Sequence, residues 1–301
     1  MSVAAPEPSA PFGHWAGGQI TEHAHCLLQG NPGPMTLDGT NTWVLLAPGG
    51  TEAIVIDPGE DEAAHQQRVV DHVTSLGARV TRIVLTHGHA DHSEGAPRLA
   101  QLTGAPVQAV GRGHDDLADG DVLRAGELEV RVVSTPGHTA DSISFALGVD
   151  HALLTGDTIL GRGTTVVAHP DGELAAYLGS LERIRELTGG GEVTSILPGH
   201  GPTVPDAAAM VDFYRVHRQE RLDQVRAALA DGAQDAADVV ARVLLARGRR
   251  SLGRHVERRG LRARLEAECG ERRENDRRPH RRASEALRTV LARLAVDPRM
   301  R

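Results

Sequence analysis

Lysine is absent from the 301-residue chain, so every cationic side chain other than histidine is an arginine. Contacts to an anionic substrate must then come from arginine, histidine or a bound metal. Cysteine is scarce. Cys26 and Cys269 stand far apart and form no Cys-x-x-Cys pair, which speaks against a disulfide framework and a thiolate zinc site. Both read as inert thiols, and a ligand role for Cys26 beside His23 and His25 is weighed and set aside. No stretch approaches the roughly 20 consecutive apolar residues of a membrane span, and the Pro/Ala-rich start lacks the charged-then-apolar order of a secretory signal. A soluble, cytoplasmic protein without a membrane partner is the expectation.

The formal net charge of −7 conceals an asymmetry. Residues 1–246 hold about 15 arginines against 32 acids, whereas residues 247–301 hold about 18 against 8. An acidic body and a basic tail must therefore be judged separately. The length suits one large domain with its own core plus a smaller one.

Residues 1–19 read as an irregular leader rich in Ala, Pro and Gly. Apolar runs at 42–46 and 53–57, split by Pro48-Gly49-Gly50, predict a hairpin of adjacent strands. Helical spacing from Asp61 to Leu76 ends at Gly77, where a helix C-cap would sit. Further strands are expected at 80–85, 106–110, 128–133, 142–147 and 152–154, and helices at about 94–102 and 173–187. After Pro205 the pattern turns helical, with helices predicted at 207–229 and 235–245.

Polar clusters follow the strands. Thr86-His87-Gly88-His89-Ala90-Asp91-His92 packs three imidazoles and a carboxylate directly after Arg82-Ile83-Val84-Leu85. Pro136-Gly137-His138-Thr139, Thr155-Gly156-Asp157-Thr158 and Pro198-Gly199-His200-Gly201 each follow an apolar strand in the same way. Imidazole nitrogen and carboxylate oxygen are the ligands of borderline and hard divalent metals. His87, His89, Asp91, His92, His138, Asp157 and His200 are too many for one zinc, but two three-ligand sites sharing a bridging carboxylate would use them all.

The ordered set His-x-His-x-Asp-His, Gly-His-Thr, Gly-Asp and Gly-His resembles the metallo-β-lactamase-fold hydrolases over about residues 35–202. The resemblance implies an α/β fold, a four-layer αβ/βα sandwich of two mixed β-sheets. It assigns His87, His89 and His138 to a first zinc, Asp91, His92 and His200 to a second, and Asp157 to the bridge. A hydroxide between the metals would attack an electrophilic carbon or phosphorus, with Asp91 orienting it and taking its proton. Iron-binding relatives carry Glu where this chain has His89, which favours zinc, two per chain.

Around these ligands, Thr139 and Asp141 are candidate hydrogen-bond partners for a ligating imidazole. Arg162, between two glycines, is the candidate contact for an anionic substrate group, with a solvated loop arginine as its rival. His14, His23, His25, His65, His72, His114, His151 and His169 lack ligand-type company and are assigned surface or core roles.

Asn31 to Thr42, Leu197 to Pro202 and the His217-Arg218 segment look most like the lactamase-B-like branch, which includes single-stranded-RNA endonucleases and polyketide-type thioesterases. That branch carries a small C-terminal winged-helix-like domain, which sets the expected divisions at 1–19, 20–205, 206–248 and 249–301. Asp157 counts against antibiotic hydrolysis, because true β-lactamases of this fold generally lack the bridging Asp. Hydrolysis of small acyl thioesters or esters is the leading expectation, since a thiolate leaves with little protonation near neutral pH. Single-stranded RNA is the rival substrate, disfavoured by the acidic body, and a non-catalytic metal- or nucleic-acid-binding protein is the alternative of another class. Self-association into a homodimer is left open. The Arg-rich tail from 249 reads either as a disordered nucleic-acid-binding arm or as the product of a shifted reading frame.

Overall fold

A computed structural model describes residues 15–111 and 113–251 of the chain. The arginine-rich tail beyond 251, with both readings offered for it, lies outside the described residues, as do residues 1–14 of the leader and His14 among them.

Seven strands form the first sheet in chain order: β1 (Gly17–Gln19), β2 (Ala24–Leu28), β3 (Asn41–Leu45), β4 (Glu52–Ile56), β5 (Arg79–Val84), β6 (Val107–Ala109) and β7 (Asp115–Asp116). β1 to β4 pair antiparallel and β4 to β7 parallel. The parallel part needs crossovers. These are α1 (Ala63–Ser75) between β4 and β5, then α2 (Ala90–Ser93) and α3 (Ala96–Thr103) between β5 and β6. The second sheet contains β8 (Val122–Ala125), β9 (Leu128–Ser134), β10 (Ile143–Leu147), β11 (Ala152–Gly156) and β12 (Ser195–Pro198), in spatial order β12-β11-β10-β9-β8. Only β11 and β12 pair parallel there, joined through α4 (Leu174–Gly189). The chain continues into α5 (Ala207–Ala230) and α6 (Ala236–Ser251).

The apolar runs are unbroken because both faces of these strands are covered. Along β3 and β4, Trp43, Leu45, Ile54 and Ile56 face the second sheet, where they meet Val130, Val132, Phe145, Leu147 and Leu154. The alternate residues Val44, Ala53 and Val55 face outward against Val69 and Val73 of α1 and Leu99 of α3. On the far side, Leu153 and Ile196 pack under Tyr177, Leu181 and Ile184 of α4 and Val211 and Tyr214 of α5. The result is helices, sheet, sheet, helices, the four-layer sandwich with mixed sheets. Each fully buried Leu, Ile or Val stabilises this by about 1.5–3 kcal/mol relative to exposure.

Two expected boundaries shift. The stretch read as an irregular leader enters the sheet at β1, because Gly17 and Gly18, with φ of 71° and 111°, let the chain run closely along Cys26 as an edge strand. The smaller unit expected from residue 206 does not begin there: Ala207, Met210, Val211 and Tyr214 of α5 share a core with α4. Only Val225, Ala228, Ala233, Val239 and Val243 form a separate cluster between α5 and α6. Among the described residues, 206–251 hold these two helices and no strand that would make a wing. No helix of the described residues is long and apolar enough to cross a membrane.

Candidate metal centre

Strands β4, β5, β9, β11 and β12 end on one side of the sandwich, and each end delivers a polar side chain. Asp57 follows β4, His87 to His92 follow β5, His138 follows β9, Asp157 follows β11 and His200 follows β12. α2 winds directly after His89 and turns Asp91 and His92 back toward the strand ends.

All seven expected side chains converge. His87, His89 and His138 bring their facing nitrogens together, and His87, His92 and Asp157, and likewise Asp91, His92 and His200, bring together imidazole nitrogens and a carboxylate oxygen. His89 Nδ1 stands 3.0 Å from His87 Nε2 and 3.1 Å from His138 Nε2. His92 Nε2 and His200 Nε2 are 3.1 Å apart, and Asp91 Oδ2 is 3.2 Å from His200 Nε2. Asp157 lies between the groups, with Oδ2 3.8 Å from His138 Nε2 and Oδ1 3.5 Å from both His92 Nε2 and His200 Nε2.

Four histidines are locked from behind. His92 Nδ1 donates to Asp57 Oδ2 at 2.9 Å, His138 Nδ1 to Val166 O at 2.7 Å and His200 Nδ1 to Gly39 O at 3.2 Å. Thr86 Oγ1 already donates to Asp57 Oδ2 at 2.7 Å, so it must accept from His87 Nδ1 at 3.0 Å. Each of these rings therefore carries its proton on Nδ1 and turns the Nε2 lone pair inward. Lone pairs facing one another at 3.1 Å form no hydrogen bond; a proton or a metal cation must stand between them.

The residues fit a divalent metal. Tetrahedral zinc with Zn–N bonds of about 2.0–2.1 Å spaces its ligand atoms about 3.3–3.4 Å apart, close to the separations seen. Asp157 Oδ1 is buried and accepts no hydrogen bond. Gly199 leaves the room: a Cβ there would stand 2.8 Å from both Asp157 Oδ1 and His92 Cε1.

Burial, then the neighbouring imidazoles, holds His87 well below the ordinary histidine range. Burial also lowers His138, against the pull of Asp157. Burial disfavours charge on His92 too, but the carboxylates of Asp57, Asp157 and Asp91 outweigh it and raise that ring to about 10. Asp91 and Asp157 are held ionised, below the usual carboxylate range, because the surrounding imidazoles overcome the cost of burial. The pocket thus favours positive charge at its centre. His92 and His200 are fully enclosed, whereas Asp91 keeps 23% of its side chain open and His89 is exposed, which marks the side from which a substrate arrives.

The neighbours expected around the ligands differ. Thr139 spends its backbone N–H and hydroxyl on Ser142 in its own turn, Asp141 is half-buried in that turn, and His138 Nδ1 is held by Val166 O. Arg162 is half-buried and pairs with Asp38. Gly161 serves chain packing instead of ligand approach: a Cβ there would stand 2.0 Å from Pro202 O. His217 stacks on Phe213 at 6.2 Å, and Arg218 reaches Thr165 O behind the centre. His23 pairs with Asp150, His65 with Thr42, and His25 with His72, in line with core roles. Asp57, Thr86, Gly39 and Val166 escaped the sequence reading. Only Asp57 carried a usable signal, an acid closing an apolar strand before Pro58-Gly59.

The sequence profile of the Metallo-beta-lactamase superfamily matches residues 35–117 and 111–200. The chain is 35% identical over 216 residues to the lactamase-like protein adaB of Aspergillus niger, covering 70% of this chain and 65% of that protein. It is 36% identical over 212 residues to the atrochrysone carboxyl ACP thioesterase of Aspergillus fumigatus, covering 67% and 64%. These matches span a little under two thirds of the fungal relatives' length. Among solved structures, a beta-lactamase domain protein from Burkholderia ambifaria is similar in fold, with a TM-score of 0.65 at 22% identity over 93% of this chain and 86% of that one. A metallo-beta-lactamase family protein of Thermus thermophilus gives 0.62 at 22% identity over 73% and 87%.

Proposed function

Because the chain belongs to the metallo-beta-lactamase superfamily, we propose that it is a dinuclear zinc hydrolase of small acyl thioesters or esters. The observation that carries this is the inward convergence of imidazole lone pairs on an ionised, hydrogen-bond-free Asp157 Oδ1. His87, His89 and His138 would hold one zinc, Asp91, His92 and His200 the other, and Asp157 would bridge. Zinc bound there supplies acidity to water and positive charge to a developing oxyanion.

The chain's own side chains do the rest. Asp91, ionised and partly open, orients water at the mouth, and the general-base role expected for it remains part of this proposal. Asp57, Thr86, Gly39 and Val166 fix the rings, so little reorganisation accompanies the reaction. Among the described residues the sequence-expected cation Arg162 is tied to Asp38, so the site offers few charges to a polyanion. That favours an acyl substrate over RNA, as does the thioesterase named among the relatives.

Metal analysis of purified protein, followed by assays on p-nitrophenyl thioesters, lactones, phosphodiesters and single-stranded RNA, tests the reading. About two zinc per chain and thioester turnover abolished by His89→Ala are expected. Turnover of RNA alone would replace the acyl reading with nuclease activity. Turnover of nothing by the metal-loaded protein would leave a binding protein.

A further inference from the structure

Arg218 lies on α5 with 3% of its surface exposed. Among the described residues no carboxylate pairs with it, and its Nε meets no acceptor. Its guanidinium donates to Thr165 O at 2.5 Å and sits 5.0 Å from the centroid of the Tyr177 ring. A buried arginine without a counter-ion is costly, and a methionine of similar length would pack there without that cost. Its polar partners are instead Tyr177 and the Thr165 carbonyl, and only the second lies beside the centre.

Thr165 and Val166 form the wall behind His138. Val166 O accepts from His138 Nδ1 at 2.7 Å, and Thr165 Oγ1 lies 3.2 Å from the same nitrogen. This segment lies midway along the loop that runs from Asp157 to α4, and the helical layer grips that loop at three points. Tyr177 donates to Thr158 O at 2.7 Å, Tyr214 accepts from Leu160 N–H at 2.9 Å, and Arg218 holds Thr165 O. The two tyrosines hold the start of the loop, and Arg218 alone of the three holds the stretch that touches a ligand.

We infer that Arg218 is a positioning residue for the three-histidine half of the centre. Through Thr165 it fixes the Val166 carbonyl against His138 Nδ1, which keeps His138 Nε2 turned toward His89 and His87. The inference rests on reading those histidines as metal ligands.

Cobalt(II) titration of the full chain, by chelator competition and visible absorption, tests it with wild type, Arg218→Met, Arg218→Lys and His89→Ala. Arg218→Met should lower the affinity of one of the two ions by about 10–100-fold and change the absorption band that His89→Ala removes. The other ion should bind unchanged. Arg218→Lys, which can donate to Thr165 O again, should recover most of the loss. Equal affinities and spectra in wild type and Arg218→Met would overturn the inference. So would failure of both Arg218 variants to fold, which would mark the residue as purely structural. A wild type that binds no cobalt, or binds it identically after His89→Ala, would instead sink the metal reading, and this inference with it.

Discussion

Asp57 is 1% exposed, has a φ of 51°, and serves two partners at once. One oxygen accepts from the Thr86 N–H at 2.8 Å, and the other accepts from Thr86 Oγ1 and His92 Nδ1. An amide in its place would present one NH2 group to donors, so Asp57→Asn should lower metal affinity at the Asp91–His92–His200 group by about 10–100-fold. Chelator competition on the folded variant checks this. Cys26 makes the opposite point, that burial can silence a reactive group. Burial pushes its thiol far above the ordinary range, and its Sγ sits 3.3 Å from Asn41 Oδ1. The folded protein should leave Cys26 unalkylated by iodoacetamide at about pH 8 over a time that fully alkylates urea-unfolded chain, as read by peptide mass. Rapid labelling of Cys26 in the native protein would contradict its placement.

At the scale of elements, β4 shows how a strand buried on both faces carries the site. Ile54 and Ile56 face one core and Ala53 and Val55 the other, all at 0% exposure. Ile54→Ala should cost about 2–5 kcal/mol in urea unfolding, since the rigid surroundings close only partly over the cavity. The turn after β12 is equally constrained. Gly199→Ala would push a methyl group onto Asp157 and His92. It should therefore reduce the metal bound per chain below that of wild type while leaving the circular dichroism spectrum unchanged.

Elements also differ in how far they were legible. Runs such as Ala53 to Ile56 and Ile143 to Leu147 stand out because two covered faces demand apolar residues at every position. β1, Gly17–Gln19, is too short for any period, and β2, with His25 and Cys26 amid its apolar residues, breaks it. The boundary at 206 failed for a different reason. Helical spacing reports that a face is buried, not against which partner, and α5 buries its first turns on α4 and only its later ones on α6.

For the whole molecule, the apolar cores between the two sheets and under both helical layers are each built from many side chains. Chelation should therefore leave the fold intact. If the centre holds a divalent metal as proposed, the metal should nevertheless raise the thermal midpoint, because it would bind only the folded arrangement and would offset the buried negative charge of Asp91 and Asp157. Differential scanning calorimetry with and without chelator checks this. An apo protein without a cooperative transition would contradict it.

Residue types and their spacing by themselves gave the set of candidate metal ligands and most of the buried strands, while the two-sheet arrangement was implied by the resemblance of the ordered motifs to a known family. Ligand chemistry is a property of the side chain, and a face that must be buried writes its period into the chain. Tertiary structure decided everything that depends on a neighbour. It set which nitrogen of each histidine faces inward, through a carboxylate 35 residues away for His92 and a carbonyl 161 residues away for His200. It spent Arg162 on Asp38, 124 residues distant. A backbone carbonyl such as Val166 O is common to all residues and leaves no mark in a sequence. Only packing brings it to the ring that needs it.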